Sequence, residues 1–213
     1  MKRKLSLILG GIFLLSQVGP VWAATTTSFT LSATVPAATG ISITVSKVDS
    51  KSNVFTALPA GTTALSFDPM TLNTTTNVYL PDHYFAIDFG VTGGAGTADV
   101  TVGYVEGANP NGATNGLGFK STATFVKEVV GAGGVTTETP LGAHGPKKRL
   151  ADLRVAEHVA YTEVTPGFPR IYVGVWTGNP TATIPDPTNG QPFTTGDAPG
   201  TYTGSLLVSA VVN

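Results

Sequence analysis

The densest group of potentially reactive side chains is Asp82-His83, with Asp88 five residues beyond the histidine. Imidazole and carboxylate groups bind transition metals in proteins, so this cluster is one candidate metal site. An Asp at the start of a strand is equally typical of a turn, which needs no metal. The other histidines, His144 and His158, lie far from His83, and none of the three falls in a two-histidine motif of metal-ligand spacing. We therefore expect no metal and no cofactor.

The sequence contains no pattern typical of a catalytic nucleophile. It has no Cys, no Gly-x-Ser-x-Gly elbow, no phosphate-binding loop and no Ser-x-x-Lys. The glycine runs at 93–96 and 131–134 lack the strand-to-helix context of a phosphate loop and read as turns. Paired carboxylates for glycoside hydrolysis are assembled in space, so the sequence neither supports nor excludes them. We therefore expect that the protein is not an enzyme. The third-ranked alternative is an exported hydrolase that uses His83 or Asp88.

Composition favours a β-rich domain. The chain has 213 residues, of which 41% are hydrophobic and 12% charged, with 26 Gly and 15 Pro. It is too apolar for a disordered protein and too often interrupted by Gly and Pro for a helical bundle. A net charge of -1 without a basic tail argues against nucleic acid as a partner. The absence of Cys also excludes zinc fingers and a disulfide scaffold.

The first 23 residues have the pattern of a secretory signal peptide. Three basic residues precede a short apolar stretch at 5–15, and Val21-Trp22-Ala23 places small residues where a signal peptidase cuts. The alternative, a transmembrane anchor, needs about 20 apolar residues, and Pro20 and polar residues interrupt the stretch sooner. We expect cleavage after Ala23, export, and a weakly acidic mature chain of 190 residues, long enough for one domain with a sizeable core.

Alternation of apolar and polar residues then predicts many short strands. One run covers 29–35 and ends at Pro36, and a second covers 41–46. Further candidates are 64–67, 84–91, 99–105, 119–130, 170–177 and 202–212, separated by turns rich in Gly and Asn. This spacing favours an antiparallel β-sandwich. One segment, 147–154, predicts a short helix in a crossover loop; its basic residues are expected to form a solvated face, with a nucleic-acid or lipid patch as the alternative.

The run at 29–35 admits two interpretations. It begins soon after the predicted cleavage site, where most domains are poorly ordered. An exposed alternating segment can add as a strand to the incomplete sheet of another chain, as in secreted polymers. It can also be an ordinary first strand that pairs within its own domain. Alternation alone does not separate the two.

The two ends of the chain together resemble pilins of the chaperone-usher pathway, most closely the Cys-free major fimbrial subunits of the colonisation-factor type (class 5, or alpha). The matching motifs are Phe29-Thr30-Leu31-Ser32-Ala33-Thr34-Val35-Pro36, Leu65-Ser66-Phe67-Asp68-Pro69, the strand pair at 84–91 and 100–105, and Pro199-Gly200-Thr201-Tyr202-Thr203-Gly204. They are short but span most of the mature chain. The chain is longer than a minimal pilin domain, with its excess in the loops of 106–145.

The resemblance implies an incomplete immunoglobulin-like sandwich, residues 37–213, completed by donor-strand exchange with an extension at 24–36. It implies that the donor residues are Phe29, Leu31, Ala33 and Val35, with Ala33 at the small-pocket position. It implies that the acceptor groove is edged by the chaperone-contacting C-terminal strand, through Tyr202, Leu206, Val208, Ala210 and Val212. The implied partners are identical or related pilin subunits, a periplasmic chaperone and an outer-membrane usher, and the implied location is a fimbria on the cell surface.

The second-ranked hypothesis is a secreted carbohydrate-binding or adhesive β-sandwich module. Such a module needs aromatic side chains on an exposed surface. Phe168, Tyr172 and Trp176, on or beside one predicted strand, are the candidates.

Overall fold

The computed structural model describes residues 28–34, 41–91, 98–112, 115–130, 136–144, 148–164, 167–178 and 191–212. The predicted signal peptide lies outside these ranges. In chain order the strands are β1 (Ser28–Thr34), β2 (Ile41–Asp49), β3 (Phe55–Ala57), β4 (Ala64–Ser66), β5 (Met70–Asn73), β6 (Val78–Pro81), β7 (His83–Val91), β8 (Ala98–Glu106), β9 (Ser121–Val130), β10 (Thr136–Pro140), β11 (Lys148–Arg149), β12 (Glu157–Val159), β13 (Phe168–Val175) and β14 (Thr201–Val212).

Two large sheets contain most of these strands. The five-stranded sheet has the order β12-β8-β14-β1-β4. The seven-stranded sheet has the order β10-β9-β13-β7-β2-β3, and β11 also pairs with β9. A separate pair, β5 and β6, forms a two-stranded sheet. All described pairings are antiparallel except that of β1 with β14.

The core lies between the two large sheets, as predicted for a β-sandwich. Strand β7 turns Phe85, Ile87 and Phe89 inwards, and β14 turns Leu206 and Val208 inwards, all into one buried cluster. Period-two alternation produces this arrangement, since successive side chains of a strand point to opposite faces of the sheet. Strands β4, β7, β8, β9, β13 and β14 confirm six expected strands, and every end agrees within two residues. The expected ranges were 64–67, 84–91, 99–105, 119–130, 170–177 and 202–212.

The expected short helix at 147–154 is found only over Leu150–Arg154, as a 3-10 helix. Lys148 and Arg149 instead pair with β9 as β11, so the helix begins only after them, and residue 147 lies outside the described ranges. It is not the single helix that was expected. Two short α-helices lie elsewhere, α1 (Leu117–Lys120) and α2 (Tyr161–Val164), and a second 3-10 helix covers Gly142–His144. No helix in the described ranges is long and apolar enough to span a membrane.

Candidate functional site

Strand β1 lies inside the five-stranded sheet of its own chain. It pairs in parallel with β14, from Ser28 opposite Thr201 to Thr34 opposite Leu207. On its other side it pairs antiparallel with β4 over three residues. The structure thus shows the ordinary intrachain pairing of this segment. We call the gap between β14 and β4, which β1 fills, the β1 groove.

The side chain of Leu31 anchors β1 to the core. It is 0% exposed, as is its partner on β4, Leu65, and both belong to the central buried cluster. On the outer side of β1, the hydroxyl of Ser32 lies 2.9 Å from that of Ser205 on β14. Burying one leucine side chain contributes about 1.5 to 3 kcal/mol, and each backbone hydrogen bond about 1 kcal/mol.

The other predicted donor residues are placed only by their backbone. Phe29 lies opposite Tyr202 and Ala33 opposite Leu206, and both share the strand face of Leu31 by alternation. Val35 lies outside the described residues.

The C-terminal strand presents a continuous apolar floor to the sandwich. Tyr202, Leu206, Val208 and Ala210 are all buried, at 0%, 0%, 2% and 6% exposure. The side chain of Val212 is outside the described set, although its backbone belongs to β14. Tyr202 and Leu206 therefore border the β1 groove and pack on the core beneath it, opposite Phe29 and Ala33. Val208 and Ala210 are also buried but lie past Thr34, where the described pairing with β1 ends.

Two glycines of the Pro199–Gly204 motif have a steric role. A Cβ atom on Gly204 would lie 2.3 Å from the Tyr104 hydroxyl, so a glycine here lets Tyr104 pack under β14. Gly200 has φ +145°, a conformation that L side chains rarely adopt. Between them, the Tyr202 hydroxyl donates to the carbonyl oxygen of Ala198 at 2.6 Å. The motif thus fixes how β14 begins.

Strand β1 is the only described strand that connects β4 to the rest of its sheet. If β1 leaves, β14 loses the backbone partner on one of its edges, and β4 also loses its partner. The apolar residues beneath both strands then face water. Unpaired strand edges and a long apolar cleft are both templates for pairing with another chain. The site can therefore bind an added strand, through hydrogen bonds to its backbone and pockets for its side chains.

The metal candidate is split between the two faces of β7. His83 lies on the core face and is 2% exposed; its Nδ1 contacts the carboxylate of Asp82, and its Nε2 donates to the carbonyl oxygen of Ser66 at 2.8 Å. Asp88 lies on the opposite face, where its Oδ2 accepts from Arg170 at 2.9 Å. Residues of odd and even number on one strand point apart, so His83 and Asp88 do not form one site. No group of three or more potential metal ligands occurs within the described ranges.

The aromatic residues proposed for carbohydrate binding are not an exposed platform. Tyr172 and Trp176 are each 1% exposed, and Phe168 is only partly buried. Tyr172 packs edge-on against Tyr84 and Phe55, at ring-centroid distances of 5.8 and 6.3 Å. Stacking on a sugar ring requires an accessible aromatic face, so this part of the carbohydrate hypothesis is wrong.

A charge network on the outer face of the seven-stranded sheet, centred on the buried residues Arg170 and Glu128, was not predicted. Arg170 of β13 binds Asp88 of β7, Glu128 of β9 and Glu138 of β10. Burial raises the pKa of Glu128, and the nearby positive charge of Arg170 opposes that rise. The four residues come from four strands, so no local sequence pattern could reveal the network. Its carboxylates are all engaged by one arginine, which indicates a structural role.

A second network surrounds His144. Its Nδ1 lies 2.6 Å from Glu157 and its Nε2 lies 3.1 Å from Glu163. Burial raises the pKa of Glu157, but hydrogen bonds from Lys148 and His144 outweigh it and leave that pKa lowered. The backbone N–H of Ala160, with His144, lowers the pKa of Glu163. These contacts join the 3-10 helix at 142–144 to β11, β12 and α2.

The basic residues at 148–154 are neutralised locally. Lys148 pairs with Glu157, Arg149 with Asp152 at 2.7 Å, and Arg154 with Glu106 at 3.6 Å. Both guanidinium groups also lie over the ring of Phe119, at 5.2 and 5.3 Å from its centroid. A basic cluster paired in this way lacks the unpaired positive surface that phosphates require.

Comparison of the chain with models of protein families, with curated proteins and with solved structures finds no match.

Proposed function

We propose that this chain is an exported structural subunit of a surface fimbria, which polymerises by donating its N-terminal strand to a neighbouring subunit and so supports adhesion. The observation that carries the proposal is the position of β1. It is the N-terminal strand of the described chain, it lies between β14 and β4, and it supplies a fully buried leucine to the core. A terminal strand of this kind can be replaced by the same strand of another copy without changing the rest of the sandwich.

Exchange of identical strands has a small energetic cost once the strand has been released. The copy that receives β1 regains the same backbone hydrogen bonds and the same buried leucine that its own strand supplied. Exchange of an identical element is therefore a low-cost route to association, and a head-to-tail exchange that does not close on itself produces an open fibre. The fibre would also be stabilised by the surface that the two sandwiches bury against each other.

The structure of the single chain adds one requirement for assembly to this proposal. Because β1 fills its own groove, the isolated subunit is capped and its groove is closed to other copies. Assembly then requires β1 to leave its groove. A periplasmic chaperone that holds β14 in place of β1 would keep the groove available, and an outer-membrane usher would be the site of exchange.

The proposal is tested with a chain that lacks residues 25–35, mixed with a synthetic peptide of residues 25–36. The peptide should bind the open groove and restore a cooperative unfolding transition. A peptide with Leu31→Asp should not, because an ionised carboxylate at this buried position is strongly unfavourable. A matched peptide with Thr30→Asp, at an outward-facing position, should still bind.

The proposal fails if the shortened chain folds and unfolds as the full chain does without any peptide. It also fails if the full chain stays monomeric after β1 has been released by mild denaturant and the protein returned to native buffer. In either case β1 would be an ordinary strand of a monomeric domain.

A further inference from the structure

The outer face of the five-stranded sheet carries three exposed aliphatic side chains. Leu207 and Val211 of β14 are 46% and 56% exposed, and Val105 of β8 is 53% exposed. We call these three residues the outer patch. Single exposed apolar residues are normal on protein surfaces, but neighbouring ones mark interaction sites.

These side chains lie on one face of two paired strands. Leu207 lies opposite Gly103 of β8, and a Cβ atom on Gly103 would be 3.8 Å from the Leu207 Cβ. Val105 stands two residues along from Gly103 on the same face of β8. Val211 stands four residues beyond Leu207 on the same face of β14.

Most positions around the outer patch are uncharged. The outward-facing neighbours on β14 and β8 include Thr203, Ser205, Ser209 and Thr101. Asp99, which lies directly opposite Val211, is the exception, and its Oδ2 is 3.7 Å from His158. A surface of this kind can be covered by another protein without burying an unpaired charge, which is the costly part of desolvation.

Chain connectivity indicates what covers the patch. Thr34, the last residue of β1, lies opposite Leu207, and β2 begins at Ile41. Seven residue steps separate these two residues, and they span at most about 25 Å when fully extended. If β1 of another copy enters the groove in the direction that the structure shows, Ile41 of that copy, where its β2 begins, must lie within this distance of the Thr34 that faces Leu207.

We infer that the outer patch is the surface against which the sandwich of the strand-donating copy packs. This inference rests on the proposed function and extends it from the strand to the body of the subunit. The occupant is a second copy of this chain, held there by the short connection between its β1 and β2. A β face rich in Thr and Ser suits such a contact, because it carries three aliphatic side chains and its one carboxylate, that of Asp99, lies beside His158.

The test compares three variants of the full chain. Leu207→Asp with Val211→Asp places two carboxylates on the patch. Leu207→Thr with Val211→Thr removes the aliphatic side chains but keeps the character of the surrounding face. Val54→Asp is the control, because Val54 is similarly exposed at 58% but lies in the turn between β2 and β3 of the other sheet.

All three variants should remain folded as monomers, the Asp variant with a lower melting temperature because Val211→Asp faces Asp99. The peptide of residues 25–36 should bind their shortened forms as it binds the unaltered one. Fibre yield, measured by sedimentation and electron microscopy, should fall at least about tenfold in the Asp variant, because carboxylates would be buried in the contact. It should fall less in the Thr variant and not at all in Val54→Asp.

Normal peptide binding with wild-type fibre yield in the Asp and Thr variants would overturn this inference and leave the proposed function intact. Equal losses in Val54→Asp would also overturn it, since the effect would then not belong to the patch. Failure of the unaltered shortened chain to bind the peptide would instead refute the proposed function itself.

Discussion

Leu31→Ala should destabilise the capped monomer more than an ordinary strand substitution. The side chain is 0% exposed and packs in the central cluster opposite Leu65, which is also 0% exposed. Because β14 and β4 hold the strand on both sides, the cavity cannot close by a local shift. We expect a loss of about 3 to 5 kcal/mol, the upper part of the range for buried leucines.

Urea unfolding of the mature chain measures this loss. The sequence has two Trp, one of which is in the predicted signal peptide, so Trp176, 1% exposed, reports unfolding by its fluorescence. With an m-value of about 2 kcal/mol/M, the midpoint should fall by about 1.5 to 2.5 M. Leu207→Ala, which shortens a leucine that is 46% exposed, is the matched control and should shift stability by no more than about 0.5 kcal/mol.

A loss below about 1 kcal/mol for Leu31→Ala, or equal losses in the two variants, would refute the placement of β1 in the core.

Two further substitutions test the packing around the groove and the charge network. Gly204→Ala should cost about 1 to 3 kcal/mol, because its Cβ would lie 2.3 Å from the Tyr104 hydroxyl, while Gly142→Ala, with nothing within 4 Å, should be almost neutral; thermal melts compare them. Glu128→Gln should leave stability equal or higher at pH 7, because burial raises the pKa of Glu128 and its ionisation therefore costs folding free energy. The stability advantage of Glu128→Gln should vanish as the pH falls and wild-type Glu128 becomes protonated. A loss of stability at pH 7 that persists in acid would contradict burial of the ionised carboxylate as the cause.

Sequence alternation predicted strands that bury one face, and β14 is the clearest example. In β14 the inward positions are Tyr202, Leu206, Val208 and Ala210, and polar or exposed residues separate them. Strand β10 was missed because all five of its residues are exposed, so burial imposes no apolar pattern on it. Pairing with β9 alone makes β10 a strand, and pairing between distant segments cannot be read from local residue types.

At the candidate site the sequence predicted the apolar character of Leu31 but not the pairing of its strand. Alternation placed Leu31 on an apolar face, yet the same pattern fits a strand buried in its own chain or in a neighbour. That β1 runs parallel to β14, more than 170 residues away in sequence, depends on the order of the strands. The Arg170 network was missed for the same reason, since its four residues become neighbours only through the order of β10, β9, β13 and β7.

Covalent locking of β1 in its own groove tests the central claim most directly. Ser32 and Ser205 are register partners with hydroxyls 2.9 Å apart, and the natural chain has no Cys. Neighbouring strands lie about 4.8 Å apart, within the Cα separation that a disulfide spans. Ser32→Cys with Ser205→Cys should therefore form one intrachain disulfide. We predict that the oxidised variant stays monomeric and that reduction restores fibre growth, whereas fibre growth by the oxidised variant at the wild-type rate would contradict strand donation.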